Sequence, residues 1–385
     1  MALGTINTNQ IASEAVNTNQ IANEAVTVPK VTDQVLSSRN LIINGAMQVA
    51  QRSTSATGLG ASSGYFTVDR INFGSSGTSA GRFTMTQTAD GPSGFANCLK
   101  LDCTTADASV AATEWEHLQY SVEAQDLQRL GFGSSDAESF VLSFYVKGNA
   151  AATYTMGAYQ VDANRWMAQT FSVTSSWNRV SLLWPKDVSG YIADDNGNGM
   201  AFYLTLQVGT NFTSGSVPAT WENLNTIDIA DSGQTQFFDS TSRTLSITGL
   251  QMEIGEVATP FEHEPFSVTQ QKCFRYYYNS RFGSNDGGAY SSGRDAQYGH
   301  VRACFAQFPV KMRATPTVSI QSSSANSMDR FGRGQEECFP KADNIHPDHF
   351  QNIVKYTSSA QTTTANWTDS GNYINRAGYK ADAEL

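Results

Sequence analysis

Aliphatic side chains recur at every fifth position from Ile6 to Leu41. On an α-helix, successive members of such a series turn about 140° beyond a full circle, so they spiral around the whole surface. In a strand, an odd step places successive members on opposite faces. One chain alone therefore cannot bury them, and the spacing predicts burial against other copies. The positions before Leu41 are Ile6, Ile11, Val16, Ile21, Val26, Val31 and Leu36.

The same region repeats its sequence, since Asn7–Val16 returns almost unchanged as Asn17–Val26. Repeats that cannot bury an apolar face alone bury it against neighbours, and three copies around one axis would do so. We interpret residues 5–36 as the thin oligomeric stalk of a homotrimer, inside a first domain of residues 1–39. Pro29 argues against one continuous helix. The alternative is a disordered polar linker whose spacing arises by chance.

From Asn40 to about Glu264, short runs alternate apolar and polar residues between clusters of turn-forming residues. A short helix is expected at Val122–Leu130. The many short strands predict an all-β fold with a central β-jelly-roll sandwich over residues 40–266. Two runs show the alternation best, with the core-facing positions Phe140, Leu142, Phe144 and Val146 in one and Phe202, Leu204, Leu206 and Val208 in the other.

Composition narrows the functional class. The formal net charge is -10, and only 25 residues are Lys or Arg. Because nucleic-acid binders need clustered basic residues, we expect no nucleic-acid partner. The five cysteines include no metal-type pair, and Cys98 and Cys103 are five apart in a strand-like run. They should face opposite sides of the sheet, so we predict buried free thiols. The start of the chain has neither a signal peptide pattern nor a membrane-spanning run.

Three segments carry a resemblance to a known family. Asn40–Arg52, Tyr65–Phe73 and Leu250–Phe266 follow one another as in a module of bacteriophage tail-fibre and minor virion proteins. The resemblance covers residues 40–266. The family is similar to carbohydrate-binding jelly rolls, so the resemblance implies structure and sugar binding rather than catalysis. Stalk repeats of the type Ile-Ala-x-Glu-Ala-Val are frequent in phage fibres ahead of such modules.

The C-terminal third, residues 267–385, resembles the terminal domain of phage fibres. The resemblance rests on Thr269–Ser280, Phe305–Ile320 and the final Ala381–Leu385, in that order. It implies a small β-sandwich tip domain that opens with a strand at Thr269–Ser280 and closes with a last strand at Ala381–Leu385. Its expected core residues are Tyr276, Tyr277, Tyr278, Phe305 and Phe308.

Two stretches of the tip are predicted as long loops, Phe282–His300 and Ala325–Phe350. Long loops on compact domains are commonly functional, and these combine aromatic, charged and imidazole side chains. Aromatic faces stack on sugar rings, whereas Asp, Asn and Arg hydrogen-bond hydroxyl or anionic groups. The alternative is a mobile loop without a ligand. The candidate receptor-binding residues are Tyr290, Arg294, Tyr298, Arg330, Phe331, Arg333, His346 and His349.

Other motifs give weaker evidence for a binding or catalytic function. Trp166 and Trp221 lie nearer turns than Trp177 and Trp184, and they are the candidate glycan platforms. Asp194–Gly199 begins like a calcium loop but lacks the acid expected at the twelfth position. Two histidines around a proline are weak evidence for a metal. We therefore expect no catalytic residue, no metal and no cofactor.

These features predict a non-enzymatic virion protein of the phage tail, a homotrimeric fibre that attaches to the host cell. Expected partners are other phage tail or fibre proteins at the N-terminus, and a host surface polysaccharide or outer-membrane receptor. Repeated weak sites would act through avidity. The alternatives are a fibre-borne polysaccharide depolymerase and a purely structural tail or decoration protein.

Overall fold

The computed structural model describes residues 38–280, 301–321, 327–330, 334–337, 339–343, 345–355 and 378–385. Chain contacts separate Met1–Asn40 from the unit Leu41–Leu385. The seven stalk positions from Ile6 to Leu36 lie outside the described residues, so the trimeric stalk stays a prediction. No helix in the described ranges is long and apolar enough to span a bilayer.

Two antiparallel sheets dominate the larger unit, which confirms the all-β prediction. Sheet A has the strand order β1-β4-β5-β13-β7-β10, and sheet B has the order β12-β9-β8-β11-β6-β3-β2. The strands are β1 (Ser55–Leu59), β2 (Gly64–Tyr65), β3 (Asn72–Ser76), β4 (Arg82–Thr88), β5 (Cys98–Thr105), β6 (Trp115–Glu123), β7 (Phe140–Gly148), β8 (Ala152–Gln160), β9 (Arg165–Val173), β10 (Asn178–Trp184), β11 (Asn198–Val208), β12 (Glu222–Asn223) and β13 (Thr244–Ile254).

The core lies between the two sheets, where the predicted alternation is confirmed. Phe140 and Phe144 of β7 are buried opposite Phe202 and Leu204 of β11 in one hydrophobic cluster. Burial of such side chains contributes about 1.5–3 kcal/mol each. Val208 departs from the pattern, because a register shift between Thr205 and Gln207 moves it into a second cluster on the outer face of sheet B.

Short helical turns connect the strands. The predicted helix at Val122–Leu130 is confirmed as a 3-10 helix at Ala124–Leu130. Further 3-10 turns lie at Thr210–Phe212, Thr226–Asp228 and Phe237–Asp239. Three cysteines are buried and free, as expected: Cys98, Cys103 and Cys273.

The C-terminal segment adds one helix and small sheets with the strand orders β14-β21-β16, β15-β20-β19 and β17-β18. The elements are α1 (Phe266–Phe274), β14 (Tyr277–Asn279), β15 (Val301–Gln307), β16 (Thr317–Gln321), β17 (Ser327–Arg330), β18 (Gly334–Glu337), β19 (Phe339–Asp343), β20 (His349–Lys355) and β21 (Gly378–Asp382). Phe308, Met312, Tyr379 and Ala381 are buried in their own small core.

Three expectations for this segment were wrong in detail. The strand predicted over Thr269–Ser280 begins as helix α1, in which Thr269 and Cys273 are buried one turn apart. The long loop predicted over Ala325–Phe350 contains the hairpin β17–β18, and β19 pairs with β20. The last strand ends at Asp382, and Glu384 and Leu385 beyond it contact Arg70 and Tyr65 of the sandwich.

Candidate functional site

The outer face of sheet B carries a row of aromatic side chains. Trp115 and His117 point outward from β6, with ring centroids 4.2 Å apart. Tyr203 of β11 lies 5.4 Å from Trp115 and 5.0 Å from His117. Trp166 of β9 continues the row at 5.7 Å from Tyr203, and Tyr159 of β8 packs beside it. We call these five residues the aromatic face.

Two glycines let rings of the aromatic face lie flat on the sheet. A Cβ on Gly74 would come within 2.1 Å of His117 Nε2. A Cβ on Gly157 would come within 1.9 Å of Trp166 Cη2. Any residue with a Cβ at either position would collide with the ring, because only glycine lacks a side chain. The sequence thus clears space on two strands for rings that belong to their neighbours.

The segment after β11, from Phe212 to Ala230, forms a wall along one side of the aromatic face, and we call it the wall segment. Phe212 packs against Trp115 with 5.8 Å between ring centroids. Ile229 and Ala230 are buried against Trp166. Asp228 holds this segment together by accepting a hydrogen bond from the backbone N–H of Ser216 at 2.8 Å. The face is therefore bounded on one side and half-buried, rather than fully exposed, at Trp115, Tyr159 and Tyr203.

Neutral polar groups border the rings. Gln119 Nε2 and Asn198 Nδ2 both donate to Ser121 Oγ, each at 3.1 Å. Trp115 Nε1 donates to Thr205 Oγ1 at 3.2 Å. Aromatic surface bordered by a few placed polar groups is the usual composition of a small-molecule site.

Burial fixes the protonation states on this face. The pKa of His117 is lowered to about 3, because burial disfavours the imidazolium. The pKa of Tyr203 is raised to about 12 for the corresponding reason, since burial disfavours the phenolate. Both rings are therefore neutral over the physiological pH range.

The two predicted tryptophan platforms need correction. Trp221 lies in the core between the sheets, where its ring centroid is 6.1 Å from that of Trp184 and 5.9 Å from that of Phe132. It is 6% exposed, so it is no surface platform. Trp166 belongs to the aromatic face but is 2% exposed, since the wall segment covers it. It supports Tyr203 instead of offering its own ring.

Sequence reasoning missed the residues that do reach solvent here. Tyr203 stands between the core positions Phe202 and Leu204, and its outward direction follows from alternation alone. Trp115 was one of several tryptophans without a distinguishing context. The pairing of β6, β8, β9 and β11 that brings these rings together is long-range and has no local signal.

The predicted receptor-binding residues of the tip are only partly placed. His346 and His349 stack with ring centroids 4.9 Å apart, and Asp348 Oδ1 lies 2.8 Å from His349 Nδ1. Arg330 is the last residue of β17. Outside the described residues lie Tyr290, Arg294, Tyr298, Phe331 and Arg333. Receptor binding by the tip stays a prediction.

Metal sites find no support in the described ranges, where no group of three or more His, Cys, Asp or Glu side chains is arranged to hold an ion. The calcium-like turn Asp194–Gly199 has a structural role. Asp195 Oδ1 accepts from the backbone N–H of Gly197 at 2.7 Å. Arg313 Nη1 donates to the carbonyl of Asn196 at 2.7 Å, which ties the turn to the C-terminal segment.

No protein-family model matches the chain, and no curated protein matches it. Solved structures match at low similarity. The enzymatically active domain of tailspike protein 4 of bacteriophage CBA120 is 12% identical, with a TM-score of 0.27, over 56% of this chain and 22% of its own. A family 11 carbohydrate-binding module of Clostridium thermocellum, in complex with a mixed-linked tetrasaccharide, is 9% identical, with a TM-score of 0.27, over 54% of this chain and 99% of its own.

A two-module xylanase fragment of the same organism, complexed with xylohexaose, is 9% identical, with a TM-score of 0.29, over 57% of this chain and 29% of its own. This chain thus spans about a fifth of the tailspike domain and under a third of the xylanase fragment.

Proposed function

We propose that the protein is a glycan-binding appendage of a phage tail, and that the aromatic face of sheet B is where it binds. The observation that carries the proposal is the contact of Tyr203 with Trp115, His117 and Trp166, which holds the half-buried rings of Tyr203 and Trp115 in a fixed row with two buried rings. Rigid aromatic rings bind the apolar faces of sugars at little cost in conformational entropy. Bordering amides and hydroxyls supply hydrogen bonds to sugar hydroxyl groups.

In this proposal the chain acts in the virion tail as a homotrimer. The stalk joins three copies and docks to another tail or fibre protein, while the tip loops add contacts to the host surface. Three linked sites bind a repetitive polysaccharide far more tightly than one, so each site can be weak. The proposal therefore requires no tight single site.

We propose binding without catalysis. Glu116 has a pKa raised to about 7 by burial, a range suited to a general acid. The same residue is 0% exposed and its Oε1 accepts from Ser75 Oγ at 2.9 Å. A buried carboxyl inside the sandwich cannot reach a glycosidic oxygen. A depolymerase remains the alternative, and shortened polysaccharide chains after incubation with the protein would favour it.

A glycan-binding assay with a matched pair of variants tests the proposal. Tyr203→Ala removes the central ring, and Tyr145→Ala removes a half-buried tyrosine from the outer face of sheet A. We expect Tyr203→Ala to weaken binding to host-surface polysaccharide about tenfold or more, which equals about 1.4 kcal/mol per site. Tyr145→Ala should bind like the wild type.

Equal binding by both variants would contradict the site. Circular dichroism and thermal unfolding of each variant separate loss of the ring from loss of the fold. Free protein should also compete with virions for adsorption to cells, whereas a decoration protein would not compete.

A further inference from the structure

Four polar groups that border the aromatic face are uncharged. Gln119 and Asn198 contribute amides, and Ser121 and Thr205 contribute hydroxyls. Amides and hydroxyls both donate and accept hydrogen bonds, which matches sugar hydroxyl groups. A sugar carboxylate accepts only, and recognition of it usually relies on a guanidinium or an ammonium group.

Two guanidinium groups at strands β6 and β9 are bound to carboxylates of the protein. Arg275 donates from Nε and Nη2 to the two oxygens of Glu123, at 2.7 Å each, at the end of β6. Arg165 Nε, beside Trp166 in β9, lies 2.5 Å from Asp187 Oδ2. A guanidinium held in such a pair is not offered to a ligand without breaking the pair.

Long-range electrostatics act in the same direction. The net charge of -10 repels a polyanion such as an acidic capsule polysaccharide. His117 adds no positive charge to the face, because burial lowers its pKa to about 3. An uncharged sugar segment is not repelled by the net charge, and it needs no positive charge on the face.

We propose that the aromatic face binds a saccharide segment of uncharged sugar units, and that Gln119 is a specificity-determining residue which hydrogen-bonds their hydroxyl groups. This inference rests on the proposed function and names its ligand class. Gln119 is half-buried in the same strand as Trp115 and His117. Its Nε2 is held by Ser121 Oγ, which orients its carbonyl oxygen as an acceptor beside the rings.

The experiment compares oligosaccharides that differ only in charge. Uronic acid oligomers and their carboxyl-reduced, neutral forms are titrated by calorimetry into the full-length wild type, across a panel of sugar types. We expect at least tenfold tighter binding of the neutral form in the pair that binds best. We also expect its Kd to change less than about twofold between about 0.05 and 0.5 M salt, because no ion pair forms.

Two variants assign the polar contact. Gln119→Ala should weaken binding of the neutral oligosaccharide about five- to tenfold, the loss expected for one hydrogen bond. Gln169→Ala is the matched control, because Gln169 donates to the carbonyl of Leu183 at 2.8 Å, away from the face. Unchanged binding by Gln119→Ala would overturn the role of Gln119.

The outcomes for the two proposals differ. Tighter binding of the acidic form that still depends on Tyr203 would overturn the uncharged ligand and leave the proposed glycan site in place. Binding of either form that does not depend on Tyr203, or no binding by any member of the panel, would overturn both.

Discussion

Arg70 and Glu384 form an ion pair that joins the start of the sandwich to the end of the chain. Both side chains are almost fully buried, with exposed fractions of 1% and 4%. Arg70 also lies over the ring of Tyr276 at 3.5 Å from its centroid and donates to the carbonyl of Ser121 at 2.6 Å. The last residues thereby hold the C-terminal segment against the strand that carries Trp115 and His117.

Removing the carboxylate of Glu384 should be costly. Glu384→Ala leaves Arg70 charged and buried, so we expect a loss of about 3 kcal/mol in the free energy of unfolding by urea. Asp382→Ala is the control, since Asp382 pairs with Arg52 at 2.9 Å but is 45% exposed. It should cost less than about 1 kcal/mol. Equal losses of stability in the two variants would contradict a stabilising buried ion pair between Arg70 and Glu384.

The stability of the protein should fall in acid through His117. Its folded-state pKa, about 3, lies below that of an unfolded histidine, so the unfolded chain gains the proton first as the pH falls. The stabilisation is complete above about pH 6.5 and decreases below it. Between about pH 7 and pH 5 the contribution of His117 should decrease by about 2 kcal/mol.

His117→Phe keeps a ring over Gly74 without a titrating group, so it should remove this part of the pH dependence. Urea unfolding of both proteins at the two pH values measures the difference. Parallel pH profiles would show that His117 is not buried as described.

The space above Gly157 is needed by Trp166. Gly157→Ala forces the buried indole to move, so we expect a loss of about 1–3 kcal/mol in stability together with weaker glycan binding. Gly148→Ala is the control in β7, where the nearest atom to an added Cβ lies at 3.1 Å. The idea fails if Gly157→Ala is as stable as the wild type and binds as well.

If residues 5–36 form a trimeric stalk, substitutions in the five-residue series should change the oligomeric state. Ile11→Ser combined with Ile21→Ser removes two members of the five-residue series. We expect light scattering to give a trimer mass for the wild type and a monomer mass for the variant, because the series is buried only between copies. Leu183→Ser, at an exposed position of β10, is the control. A wild-type monomer would remove the stalk.

The sequence could predict what depends on local alternation. It identified Phe140 and Phe144 as core residues, and it marked the turns between strands. It could not predict the register shift near Thr205, which turns Val208 outward, because the partner strand decides where a bulge forms. It also misjudged Trp221, since closeness to a turn says nothing about which distant segment covers the ring. The site on sheet B takes its side chains from four strands, so it cannot be found until the pairing of those strands is known.

Fluorine NMR of the fluorotryptophan-labelled chain tests the central claim most directly. The chain contains six tryptophans, and single Trp→Phe variants assign their resonances. Titration with the best-binding oligosaccharide should shift the Trp115 and Trp166 resonances saturably and leave Trp177, beside Lys147 of sheet A, unchanged. A shift of Trp177 with Trp115 and Trp166 unmoved would contradict a glycan site on the outer face of sheet B.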